Sequence, residues 1–153
     1  LRHRTLSILI LTLLFLASTL LFAQEETEIT PVPAEQQQQV MAVFEMLYSG
    51  NPEVVDHIFW EDLYINNEDI TLLYYDSMDG GFEDVFFNMV VRELAAELQN
   101  PDDASDLYTD WMFEGRDGEI YAYSHNSKKQ VEMWFTTPGE EPMYLLEMNI
   151  ADR

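Results

Sequence analysis

The sequence predicts an α+β domain in which three N-terminal helices pack on one face of a C-terminal antiparallel β-meander. Three observations carry this. Apolar residues recur at helical spacing from Ala34 to Gln99, in segments divided by Gly50-Asn51-Pro52 and Gly80-Gly81. Beyond Asn100-Pro101 the pattern turns to alternation, with Asp117-Gly118 and Pro138-Gly139 as turn signals. Helices first and antiparallel strands last place the two kinds of element in separate layers.

Residues 1–23 read as a cleavable secretory signal. Arg2, His3 and Arg4 precede an uncharged run from Thr5 to Phe22, and Ala23 offers a small residue for cleavage. The expected destination is the periplasm or the extracellular space. An apolar run of ~18 residues is also the lower limit for a spanning helix, so a retained anchor is the alternative. Residues 24–35 mix charge with two prolines and read as an acidic flexible linker. Residues 36–150 are then one domain. A chain of this size buries roughly two-thirds of its unfolded surface, enough to fold without disulfides.

In the first helix, 34–49, Val40, Val43, Phe44 and Leu47 form one apolar stripe. Gly50 can end it, Asn51 can cap the next, and Pro52 suits a first turn. The second helix, 52–61, would bury Val54, Val55, Ile58 and Phe59. Residues 62–79 have no single reading, since Ile70 to Tyr75 fits a strand and a helical turn equally. The third helix, 82–99, is apolar around most of its circumference, which requires cover on two sides. Strands are expected near 107–114, 119–125, 130–136 and 143–150.

This order of elements resembles the NTF2-like (SnoaL-like) superfamily over residues 36–150. Phe59-Trp60-Glu61-Asp62, followed by Gly80-Gly81 opening a helix, is similar to the passage from second to third helix in such domains. The resemblance implies a pocket between helices and a curved sheet. A cystatin-like arrangement fits the same order. Many members are non-enzymatic, so the resemblance alone assigns no role.

The chain carries 29 acidic residues against seven Lys and Arg, a formal charge of −22. Such a field repels nucleic acid and anionic membrane surfaces, which excludes both as partners. Cysteine is absent, so there is no disulfide framework and no thiolate ligand or nucleophile. The sequence holds no G-x-S-x-G, H-E-x-x-H or phosphate-binding glycine loop. No cofactor or metal is expected. Glu53, His57 and Glu61 share helical spacing, but three side chains along one straight helix converge poorly on an ion, and a solvated charge ladder explains them better. The loop from Asp76 to Gly81 lacks an EF-hand's ligand pattern. Arg92, the one cation between Arg4 and Arg116, reads as a member of a structural ion pair.

The turns fix which strand residues share a face. Trp111, Phe113, Ile120, Ala122, Val131, Met133, Phe135, Tyr144, Leu146 and Met148 fall on the core side. Asp110, Met112, Glu114, Tyr121, Tyr123, His125, Glu132, Trp134, Leu145 and Glu147 fall on the other. There Asp110 lies opposite His125, Tyr121 opposite Trp134, Tyr123 opposite Glu132 and Trp134 opposite Leu145. A carboxylate beside an imidazole fixes its tautomer and raises its basicity, so Asp110 and His125 are the candidate catalytic pair. Tyr121, Tyr123, Glu132 and Trp134 are the candidate ligand-binding set. The simpler account is that these aromatic pairs only stabilise the strands, at ~0.2–1 kcal/mol each.

The leading functional expectation is an exported acidic domain that binds a small apolar ligand or a protein partner without catalysis. A small NTF2-like lyase, isomerase or hydrolase using Asp110 and His125 is the rival, and a structural envelope component is the third. An Asp110–His125 contact within ~3.2 Å inside an enclosed pocket favours the enzyme, and an open surface favours binding. Oligomeric state is not legible.

Overall fold

The computed structural model describes residues 28–136 and 143–153. The signal at 1–23 and the turn at Pro138-Gly139 lie outside the described residues. The fold is mixed α+β around a seven-stranded sheet. Its elements in chain order are β1 (Ile29–Thr30), α1 (Ala34–Ser49), short 3-10 turns at Pro52–His57 and Trp60–Asp62, β2 (Tyr64–Ile65), β3 (Glu68–Asp69), α2 (Thr71–Gly80), α3 (Glu83–Leu98), β4 (Thr109–Arg116), β5 (Glu119–His125), β6 (Lys129–Thr136) and β7 (Leu145–Asp152). Across the sheet the order is β1-β4-β5-β6-β7-β2-β3.

Local chemistry explains the boundaries. Gly50 takes a left-handed conformation at φ 68°, and the Asn51 N–H donates back to the Met46 carbonyl at 2.8 Å, closing α1. The Asn51 side chain then accepts from the Glu53 N–H at 3.0 Å, and Pro52 leads the next turn. That turn tightens to 3-10 geometry and stops at His57 rather than continuing as the expected helix to 61. The indole of Trp60 donates to the Val55 carbonyl at 3.0 Å, folding the chain back on itself.

The segment 62–79 resolves into a hairpin and a helix. Asn66 and Asn67, at φ 51° and 63°, make a two-residue turn between β2 and β3. That hairpin extends the sheet, because β2 runs parallel to β7 and the Ile150 N–H donates to the Asn66 amide oxygen at 2.8 Å. Helix α2 begins where the Asp69 carboxylate accepts from the Thr71 N–H at 2.9 Å. It ends at Gly81, again left-handed, with the Phe82 N–H returning to the Ser77 carbonyl at 2.9 Å. At the other edge, β1 lies inside the stretch read as linker and pairs with Gly115 and Arg116 of β4, while Val32 beside it is buried.

The core joins Val40, Phe44 and Leu47 of α1 and Phe86, Val91, Leu94 and Leu98 of α3 to Ile120, Val131, Met133, Phe135 and Met148 of the sheet. The face alternation in β5 and β6 follows the sequence pattern. Strand β7 departs from it. Phe135 pairs with Leu145 and Trp134 with Glu147, so Leu146 is an extra residue in a bulge. Leu145 therefore turns inward and is fully buried, whereas alternation alone places it outside. Glu132 consequently faces Asn149. Tyr144 and Leu146 stand half-buried off the core, Tyr144 with its ring 6.1 Å from that of Phe59.

Candidate functional site

The outer sheet face gathers the residues singled out above, and most of them satisfy one another. Tyr121 lies opposite Trp134, with ring centroids 4.7 Å apart. Its hydroxyl donates to the Glu132 carboxylate at 3.0 Å. The Arg116 guanidinium covers its ring at 4.0 Å and donates from Nε to Glu114 at 2.7 Å. Tyr121 is only 6% exposed as a result. Burial first, then the bond to the Glu132 carboxylate and its charge, push the Tyr121 hydroxyl up to about 12, with Arg116 opposing. Tyr123 lies opposite Glu132 at the half-buried margin of this lattice.

The proposed catalytic pair is adjacent but not hydrogen-bonded. Strand β4 bulges between Thr109 and Met112, so Thr109 takes the place opposite His125. Asp110, at φ 54°, is the residue thrown out by that bulge, and its side chain is 82% exposed. Its carboxylate stands 3.7 Å from His125 Nε2, beyond hydrogen-bond range. At the other ring nitrogen the Arg153 guanidinium approaches to 2.7 Å. A guanidinium only donates, so Nδ1 is the accepting atom in this contact. Asp110 stands in solvent, whereas the His125 side chain is 20% exposed.

His57 ends a 3-10 turn and Glu61 belongs to the next one, so Glu53, His57 and Glu61 do not align along a helix. Among the described residues no group of three or more acidic or histidine side chains is placed to hold a metal. Arg92 stands exposed on α3 and makes no ion pair with any described residue, contrary to its structural reading. The other described cations are held: Lys128 to Asp102 at 2.8 Å, Lys129 to Asp152 at 2.7 Å, Arg116 to Glu114 and Arg153 to His125.

The surface that sequence reasoning missed is built by α2 and the first half of α3. Leu72, Leu73, Tyr75 and Met78 of α2 are exposed, Leu72 at 74%. Phe82, Val85 and Met89 continue the patch, Val85 at 68%. Helix α2 fully buries only Ser77 and is held by Tyr74, whose ring lies 6.3 Å from Trp60 and 6.1 Å from Phe87. Between the β2–β3 hairpin and the two helices runs a groove of about 330 Å³, floored by Ile65, Ile70, Phe86 and Val90. Leu73 and Met89 flank it, and Glu68, Glu93 and Glu97 sit in its wall. The signal was present in the apolar circumference of the third helix, which demanded cover on two sides. The fold supplies one side and leaves the other to solvent.

A second cleft, of about 190 Å³, opens between α1 and the start of β4 and is lined by Phe44, Tyr48, Tyr108 and Trp111. Phe44 and Trp111 meet edge to face at 4.8 Å. The Tyr108 hydroxyl donates to the Leu98 carbonyl at 3.0 Å, and burial pushes its pKa up. Comparison of this chain with protein-family models, with curated proteins and with solved structures finds no match. Among the described residues no helix is long and apolar enough to cross a membrane.

Proposed function

We propose that this chain is an exported, non-catalytic binding domain of NTF2-like build, with its helices laid on one face of the meander, and that it engages a protein partner through the α2–α3 face. The carrying observation is the row of large apolar side chains from Leu72 to Met89 standing in water beside a core that is closed without them. Contiguous apolar patches on a soluble domain mark interaction surfaces. The exposure of Asp110 and the 3.7 Å between it and His125, longer than a hydrogen bond, support a role without catalysis.

The test places a photo-crosslinking residue at position 72, 85 or 123 of the protein in its native host. A discrete adduct from 72 and 85, and none from 123, supports the reading. Adducts from 123 alone return the site to the sheet. No adduct from any position leaves the structural envelope component. A small apolar ligand is the second reading, favoured by the aromatic cleft at Phe44 and Trp111, and quenching of Trp111 by a simple aromatic solute measures it.

A further inference from the structure

We propose that the groove between α2, α3 and the β2–β3 hairpin receives a cationic amphipathic helix of a partner protein; this rests on the reading that the α2–α3 face is the docking surface. The groove combines an apolar floor with carboxylates in its wall, and between Glu61 and Glu97 the only cation is Arg92. An amphipathic helix offers apolar anchors every three or four residues, which suit Leu73, Phe86 and Met89. Lys or Arg on its flanks would meet Glu68, Glu93 and Glu97. Asn66 Nδ2 already donates to Glu97 at 3.2 Å, so that carboxylate is held at the groove rather than free to swing away.

Charge selects this occupant over the others. The cations on the sheet are each held by a local partner, so the helical side keeps its acidic excess. A second copy would bring the same carboxylates against these, and like charges across an interface oppose association. An anionic bilayer is repelled for the same reason.

The experiment titrates the protein with three synthetic peptides of about 18 residues at ~0.15 M salt, where exposed charges more than ~8 Å apart are largely screened. One is a Leu/Lys amphipathic helix, one its scramble without an apolar face, and one the Leu/Glu counterpart. The amphipathic Leu/Lys peptide should bind at least tenfold tighter than either control. Leu73→Glu and Met89→Glu, both at exposed positions, should weaken it at least tenfold while the melting curve stays unchanged. Attraction by net charge alone predicts the reverse, since each variant adds a carboxylate; undiminished binding there overturns the proposal. So does equal binding of the Leu/Glu peptide. Self-association or anionic-vesicle binding that Leu73→Glu abolishes would replace the occupant by a second copy or a bilayer. The two readings fail separately. Crosslinks from 72 and 85 without peptide discrimination sink the cationic helix alone, and the absence of those crosslinks sinks the docking surface itself.

Discussion

The outer sheet face and the α2–α3 face both carry large apolar side chains outside the core, and they dispose of them in opposite ways. On the sheet, Tyr121, Trp134, Glu132 and Arg116 close over one another, so an apparently functional cluster is a self-satisfied lattice. On the helices, Leu72, Val85 and Met89 have no such neighbours. Residue type alone does not distinguish a binding surface from a structural one. What distinguishes them is whether the side chains are covered by their own fold.

That contrast sets the expected sizes of substitution effects. Tyr121→Ala should be the most costly change on either face, about 2–4 kcal/mol by thermal denaturation, because it empties a buried aromatic site with one side near solvent. Tyr121→Phe removes only the bond to Glu132 and should cost about 1 kcal/mol. A cost as small for Tyr121→Ala as for Tyr121→Phe would show that the lattice stabilises little.

Alkaline titration addresses the same hydroxyl. Its pKa is raised in the folded state to about 12, above the unfolded value of ~10. The stability it contributes is therefore complete below pH 10 and lost as pH rises through 12. Tyr108, raised by burial, adds to the slope in the same direction. Melting temperature should fall across that window, and less steeply in Tyr121→Phe. An identical slope in the variant would place the effect elsewhere.

On the helical face, Leu72→Ser and Val85→Thr should shift stability by no more than about 0.5 kcal/mol, since exposed side chains lose little on truncation. A loss of 2 kcal/mol or more would mean that the patch is already covered within the protein. His125→Ala should be of similar size in denaturant unfolding, because its imidazole meets only the exposed Asp110 at 3.7 Å, the Arg153 guanidinium at 2.7 Å and the Tyr123 ring at 6.1 Å.

Much of the fold was legible in particular residues. Gly50-Asn51-Pro52 marked the end of α1, Asp117-Gly118 made the β4–β5 turn at φ 50° and 82°, and alternation put Val131, Met133 and Phe135 together. Two bulges were not legible, because an extra residue in a strand leaves no compositional trace. One moved Leu145 into the core, and the other put Thr109 opposite His125 and left Asp110 3.7 Å from its ring. The β2–β3 hairpin was hidden because Asn66-Asn67 lacks the glycine that usually flags such turns. Helix α2 was hidden for a different reason. Amphipathic periodicity reports burial, and α2 buries almost nothing of itself, so Ile70 to Tyr75 carries no helical stripe to read.

The account rests on α2 and α3 forming a surface that awaits cover. Amide hydrogen exchange of the protein with and without the Leu/Lys amphipathic peptide measures this most directly. Added protection confined to the amides of residues 71–98 is the predicted result. Protection centred on β4, β5 and β6, or spread evenly over the chain, would contradict it.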